Sequence, residues 1–147
     1  MIYWLTGQPG AGKTTLARAL RSALDARGHH TILVDAEHWR QLGGNQDYSE
    51  AGRRRNIASA QQFAEEKSKA GATVICSFVS PYKDMRDDLK RRAQVVEIYV
   101  HTDQVRGREH FHVKDYQAPT EYFVDIDTGR TSVKEAVAII LGPDYEI

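Results

Sequence analysis

Near the start of the chain, Gly7-Gln8-Pro9-Gly10-Ala11-Gly12-Lys13-Thr14 fits the pattern G-x-x-x-x-G-K-[ST] in full. The chemistry of such a run is the binding of a nucleoside triphosphate. Its glycines let the backbone turn tightly and come close to the ligand, so that successive N–H groups face the phosphates. The start of the following helix adds its dipole to the same anion site. Lys13 is spaced to reach the β- and γ-phosphates, and the Thr14 hydroxyl to hold Mg²⁺. Residues Gly7 to Thr14, with Thr15, are the expected ATP-binding set.

A second group follows at Asp35-Ala36-Glu37-His38-Trp39-Arg40. Here a carboxylate could accept the proton of an attacking hydroxyl and orient Mg²⁺, while the arginine pairs with an anionic substrate. The same run also suits a solvated helix start, where acids are favoured by the dipole. The cluster Arg53-Arg54-Arg55 and the loop containing Ser80-Pro81 argue for a second anionic ligand beside the triphosphate. His110 and His112 could face one side of an extended chain, but further ligands at metal-binding spacing are missing. Cys76, the only cysteine, lies in the apolar run Thr73 to Val79 and reads as a buried small hydrophobe.

The elements that must position these groups alternate. Ile2 to Leu5 reads as a buried strand, and Leu16, Leu20, Ala23 and Leu24 recur at helical spacing from Lys13 to Arg27, before Gly28. Ile32 to Asp35 is a second strand. A helix is expected from near Gly52 to Ala70, then a strand over Thr73 to Val79 and a charged helix around Asp84 to Arg92. Val95 to Val100 and Tyr122 to Ile126 supply two more strands. His101 to Gln117 is polar and aperiodic, and Ser132 with Glu135 has capping-box spacing before a last helix ending at Leu141. The pattern predicts an α/β, three-layer fold in one domain over residues 1–147, with a parallel sheet of about five strands and helices on both faces. Ligands of such sheets gather beyond the carboxyl ends of the strands, where the residues above fall.

Composition narrows the function classes. Lys plus Arg number 20 and Asp plus Glu number 20, a balance that gives a nucleic-acid surface no support and leaves room only for a local basic patch. The sequence has no apolar stretch long enough to span a membrane and no secretory signal, so a cytoplasmic location is expected.

With these residues in view, the chain resembles the adenylylsulfate kinase family, which phosphorylates the 3′-hydroxyl of adenosine 5′-phosphosulfate with ATP. Trp4 to Ala17 is similar to the family's opening, and Asp35 to Arg40 falls where it carries L-D-G-D-x-x-R. Tyr48 to Ile57 looks like its F-S-x-x-D-R-x-x-N-I segment. Ser77 to Asp87 is similar to S-F-I-S-P-Y-R-x-x-R-D, and Asp115 to Pro119 to P-Y-E-x-P. The resemblance implies that Glu37, with Asp35 and Lys13, forms the catalytic set. It implies that Arg40, Arg53 and Asn56 hold phosphosulfate and ribose, and that Tyr48 stacks on the substrate adenine. Ile57, Phe78, Val79 and Ser80 would line the pocket. The implied partners are ATP and a small anionic nucleotide-like substrate, and family members often form homodimers.

Three departures stand out. Glu37 is one methylene longer than the family's aspartate, and Gly52 stands where an aspartate precedes the arginine. The family's long basic lid is compressed here to Arg106 to Lys114, leaving Arg106 or Arg108 to reach the phosphates and Phe111 to serve as a second stacking ring. The shortened lid keeps two alternatives open: a kinase of another hydroxylated acceptor, and a regulatory ATPase without one.

Overall fold

In a computed structural model describing residues 1–142, strands β1 (Ile2–Thr6), β2 (Thr31–Asp35), β3 (Thr73–Ser77), β4 (Val95–His101) and β5 (Phe123–Asp127) alternate with helices. The helices are α1 (Lys13–Ala26), α2 (Ala36–Gly43), α3 (Glu50–Lys69), α4 (Lys83–Arg92) and α5 (Val133–Leu141). The strands form one parallel sheet in the order β2-β3-β1-β4-β5.

Side-chain alternation along β1 shows how the sheet acquires a core on each face. Leu5 packs with Leu16, Leu20 and Leu24 of α1 and with Val137 and Ile140 of α5. Ile2 and Trp4 point the other way, into Ile57, Ala60 and Ala64 of α3 and Leu89 of α4. A central strand buried on both faces, its side chains alternating between two helix-covered cores, is the three-layer solution expected of this alternation. Cys76 sits wholly buried in the second cluster, where burial pushes its thiol far above the ordinary range.

The structure moves several boundaries. β3 stops at Ser77 rather than Val79, because the chain leaves the sheet there and turns through Ser80, which has a left-handed φ of 40°. α3 begins at Glu50, since the Ser49 hydroxyl accepts from the Gly52 N–H and caps the helix two residues before the first apolar position. The run Asp35 to Arg40, which also suits a helix start, opens α2 with Asp35 at the N-cap. None of the helix's residues is fully buried, and only Ala36 and Trp39 pack, half-buried, against the second core cluster. The last strand begins at Phe123, because Tyr122 is itself left-handed (φ 51°) and 90% exposed. The Ser132–Glu135 capping box forms as its spacing predicts. Between His101 and Gln117 the chain makes only one 3₁₀ turn, Glu109–Phe111.

Candidate active site

The loop after β1 is held by close packing of backbone on backbone. A Cβ on Gly7 would lie 2.1 Å from the Val100 carbonyl oxygen, so no other residue fits this approach to β4. Gly12, with φ 104°, makes the left-handed entry into α1. Lys13 folds back over the loop and donates from Nζ to the Gln8 carbonyl at 2.9 Å. Burial first, and the nearby Arg108 charge second, push its ammonium down to about 8 against the opposing pull of Asp35. The charge is therefore present at neutral pH and is lost as pH rises past about 8.

Lys13, Thr14 and Thr15 border a cleft of about 620 Å³ that also takes in Pro9, Gly10 and Gly12. Asp35 and Glu37 enter from the β2–α2 junction, and Arg106 and Arg108 from the far side. Asp35 occupies the N-cap of α2 without making a side-chain cap bond, which leaves its carboxylate for the cleft. The oxygens of Thr14 and Asp35 in one cleft are the hard donors that a Mg²⁺ ion takes. A hollow of about 160 Å³ lies beside the start of α1, lined by Gly12, Thr15, Leu16, Arg106, Thr128 and Val133 among others. No local spacing points to this hollow, because Thr128 and Val133 come from beyond β5.

A second cleft of about 570 Å³ opens next to the first, and Arg40, Tyr48, Arg53, Asn56, Ile57, Phe78, Val79, Ser80 and Phe111 all line it. The two clefts share Ala36, Glu37, Val79 and Arg108. Arg40 lies 4.3 Å over the Tyr48 ring, presenting a cation and an exposed aromatic together. Of the three consecutive arginines only Arg53 faces this space. Arg54 pairs with Glu50 and Asp84, and Arg55 with Asp47. The Arg53 Nε is buried without a hydrogen-bond partner. Gly52 does not simply remove a carboxylate: a Cβ there would meet the Asp47 carbonyl oxygen at 2.3 Å and its Cγ at 2.4 Å. Asp47 fills that space instead, and its carboxylate goes to Arg55 rather than Arg53.

One wall of the second cleft is fixed from beneath. The Ser80 hydroxyl accepts from Trp4 Nε1 at 2.9 Å, and the Ser80 carbonyl accepts from Arg86 at 2.6 Å. Arg86, 1% exposed, also donates to Glu97 at 2.7 Å and to the Gln117 carbonyl, while Lys90 bonds the other Glu97 oxygen. The charged helix α4 thus sends one arginine inward, paired and hydrogen-bonded, to hold a strained turn.

The opposite wall is the compressed segment from Arg106 to Val113. The Arg106 guanidinium donates to the carbonyls of Gly10, Ala11 and Thr128, so it braces the phosphate loop rather than standing free to meet a phosphate. Gln8 likewise turns its side chain away from the phosphate cleft: its carboxamide bonds both backbone groups of Val113. Glu109 gathers the N–H groups of Arg106, Gly107 and Arg108, which holds its carboxyl below the usual range. Arg108 lies over the Phe111 ring at 5.4 Å and borders both clefts. His110 tilts against Phe111, with centroids 3.9 Å apart. The described residues contain no group of three or more His, Cys, Asp or Glu able to hold a metal, and no helix among them is long and apolar enough to cross a membrane.

Comparison with known proteins follows the same residues. Residues 1–122 match the family model for adenylylsulphate kinase. The adenylyl-sulfate kinase of Vibrio cholerae is 33% identical over 159 residues, covering 93% of this chain and 74% of that protein. That span exceeds this chain's 147 residues, so the relative carries segments absent here. The hexameric APS kinase from Thiobacillus denitrificans superposes with a TM-score of 0.78 at 32% identity, over 95% of this chain and 27% of that one. The Mycobacterium tuberculosis APS kinase in complex with AMPPNP and APS has a TM-score of 0.80 at 20% identity, covering 96% of this chain and 97% of that one, a likeness of fold.

Proposed function

The chain belongs to the adenylylsulphate kinase family, and from that premise we propose that it transfers the γ-phosphoryl group of ATP to the 3′-hydroxyl of adenosine 5′-phosphosulfate. The observation that carries the reading is the wall common to the two clefts. A donor held at Lys13 and an acceptor held at Arg53 meet across Glu37 and Arg108. Positioning two ligands for in-line displacement, and neutralising charge between them, is most of what phosphoryl transfer asks of a protein.

In this reading the phosphate loop and Lys13 hold the β- and γ-phosphates. The purine of ATP enters the hollow between Gly12, Thr128 and Val133. Thr14 and Asp35 hold Mg²⁺, which offsets phosphate charge when bound. Glu37 accepts the proton of the 3′-hydroxyl as the new oxygen–phosphorus bond forms. ADP leaves with the electron pair of the broken bond. Arg53, whose Nε has no hydrogen-bond partner, Arg40 and the 6% exposed Asn56 take the phosphosulfate and ribose. Tyr48 and Phe111 bracket the acceptor adenine from exposed positions. Arg108, free of the bonds that occupy Arg106, neutralises charge on the transferring group. A single domain over residues 1–147, a cytoplasmic place in sulfate assimilation and a homodimer complete the proposal.

The test is a coupled assay for ADP with ATP, Mg²⁺ and adenosine 5′-phosphosulfate. Turnover requiring all three is the expected result. Tight ATP binding without turnover on this acceptor would overturn the assignment.

A further inference from the structure

The segment that supplies Arg108 and Phe111 is exposed along nearly its whole length and contributes no residue to either core cluster. Something other than burial must keep it in register. Its first end is set by Arg106 on the carbonyls of Gly10 and Ala11. Towards its other end, three residues ahead of Tyr116, whose hydroxyl bonds Thr6, the tie to the phosphate loop is one side chain. Gln8 Nε2 donates to the Val113 carbonyl at 2.8 Å, and the Val113 N–H donates to Gln8 Oε1 at 2.8 Å. A carboxamide meeting both polar groups of one residue copies a strand pairing, and a charged side chain cannot do so, since a carboxylate lacks the donor and an ammonium or guanidinium the acceptor. The partners are 105 residues apart, and the tie fastens the segment to the loop that takes the triphosphate.

We propose that Gln8 is a positioning residue for the acceptor: its two bonds to Val113 seat the segment from Arg106 to Val113 so that Arg108 and Phe111 face the second cleft. The proposal rests on the reading of that cleft as the acceptor site. It gives a physical reason for an amide at a variable position of the phosphate loop. It also explains how so short a lid presents a stacking ring without a core of its own. A loop tied at both ends loses less freedom when a ligand orders it than a loop tied at one.

Gln8→Leu removes both bonds at once. Two neutral hydrogen bonds of ordinary strength should hold back segment opening by about tenfold. Initial tryptic cleavage after Arg108 should then rise about tenfold, read by mass spectrometry on protein whose melting temperature shows it folded. The acceptor KM should rise about tenfold more than the ATP KM. Val113→Pro deletes only the N–H half. His112 already has the extended backbone that a residue before proline needs (φ −59°, ψ 137°), so the ring does not clash with the preceding residue. It should reproduce part of both effects, and it should add nothing in the Gln8→Leu background, where the bond is already gone. Unchanged cleavage in Gln8→Leu overturns the tie, and faster cleavage with an unchanged acceptor KM overturns its positioning role. Should the wild-type protein fail to turn over adenosine 5′-phosphosulfate, the acceptor reading falls alone, and cleavage still decides whether Gln8 holds the segment.

Discussion

The two walls of the second cleft, proposed above to take the acceptor, are built by opposite means. The turn at Phe78 to Pro81 is held from below by buried groups: Trp4, the β1 hydroxyl of Thr6, and an Arg86 that shares Glu97 with Lys90. The facing segment from Arg106 to Val113 is held from one side by surface hydrogen bonds to the phosphate loop and by its own Glu109. Damage to the first wall should therefore appear as lost stability. Damage to the second should appear as weaker acceptor binding in a protein that still melts where it did.

The largest expected effect tests the buried side. Arg86→Met leaves Glu97 in the core with only Lys90, and releases the carbonyls of Ser80 and Gln117. Breaking a buried pair by removing one partner costs about 3–5 kcal/mol. In a chain of this length that lowers the melting temperature by about 10 °C, measured by calorimetry or circular dichroism. Arg86→Met with Glu97→Leu should recover part of the loss, because Lys90 is near the surface and can turn outward. A single variant that melts within a degree or two of the wild type would erase the contrast between the walls.

How much of this could be read from the chain divides along the same line. The phosphate loop and the carboxylates at the end of β2 were legible because local spacing defines them, whereas the residues lining the second cleft were named only through the resemblance to the adenylylsulfate kinase family. Gly7 to Thr14 needs only a strand before it and a helix after it. Arg53, Asn56 and Ile57 lie on successive turns of one helix. Features made by pairing distant segments were not legible. Arg86 sits in Lys83–Arg92, a run that reads as a solvated charged face, and only the fold reveals Glu97 beneath it. The extent of α2 is weakly marked because the helix is short and only Ala36 and Trp39 are half-buried on the core. The hollow beside Gly12 needs Thr128 and Val133, and Gln8 needs Val113. The resemblance singled out Arg53 from the arginine triplet, but the reason was hidden, since Asp47, Glu50 and Asp84 decide which cations go into ion pairs.

That division yields an intermediate effect. Arg53→Ala removes the one member of the triplet that faces the cleft, and its Nε has no protein partner to lose. Stability should therefore change little, while the acceptor KM rises. A charge-assisted hydrogen bond to an anion contributes about 1.5–3 kcal/mol, so a rise of roughly ten- to hundredfold is expected. Arg54→Ala should do the reverse and leave the acceptor KM near the wild-type value, since its partners are Glu50 and Asp84. An unchanged acceptor KM in Arg53→Ala would contradict its role and shift the anion site towards Arg40.

The smallest expected effect concerns the ring on the tied wall. Phe111 is 57% exposed and packs against His110 and the Arg108 guanidinium, so Phe111→Ala leaves no buried cavity and should not shift the melting temperature measurably. Its contribution depends on an acceptor base lying between it and Tyr48. Stacking of a base on an aromatic side chain is worth about 1–3 kcal/mol, and a ring on a surface segment belongs at the low end. The acceptor KM should rise by about fivefold, and Phe111→Tyr should restore it, because a second flat ring serves equally well. Steady-state kinetics over both substrates separates this from damage to the donor side, where the ATP KM would rise as well. If Phe111→Ala lowers kcat at saturating acceptor and leaves KM alone, the ring acts on the position of Arg108 rather than on the base, and the tied wall then contributes to the transfer step itself.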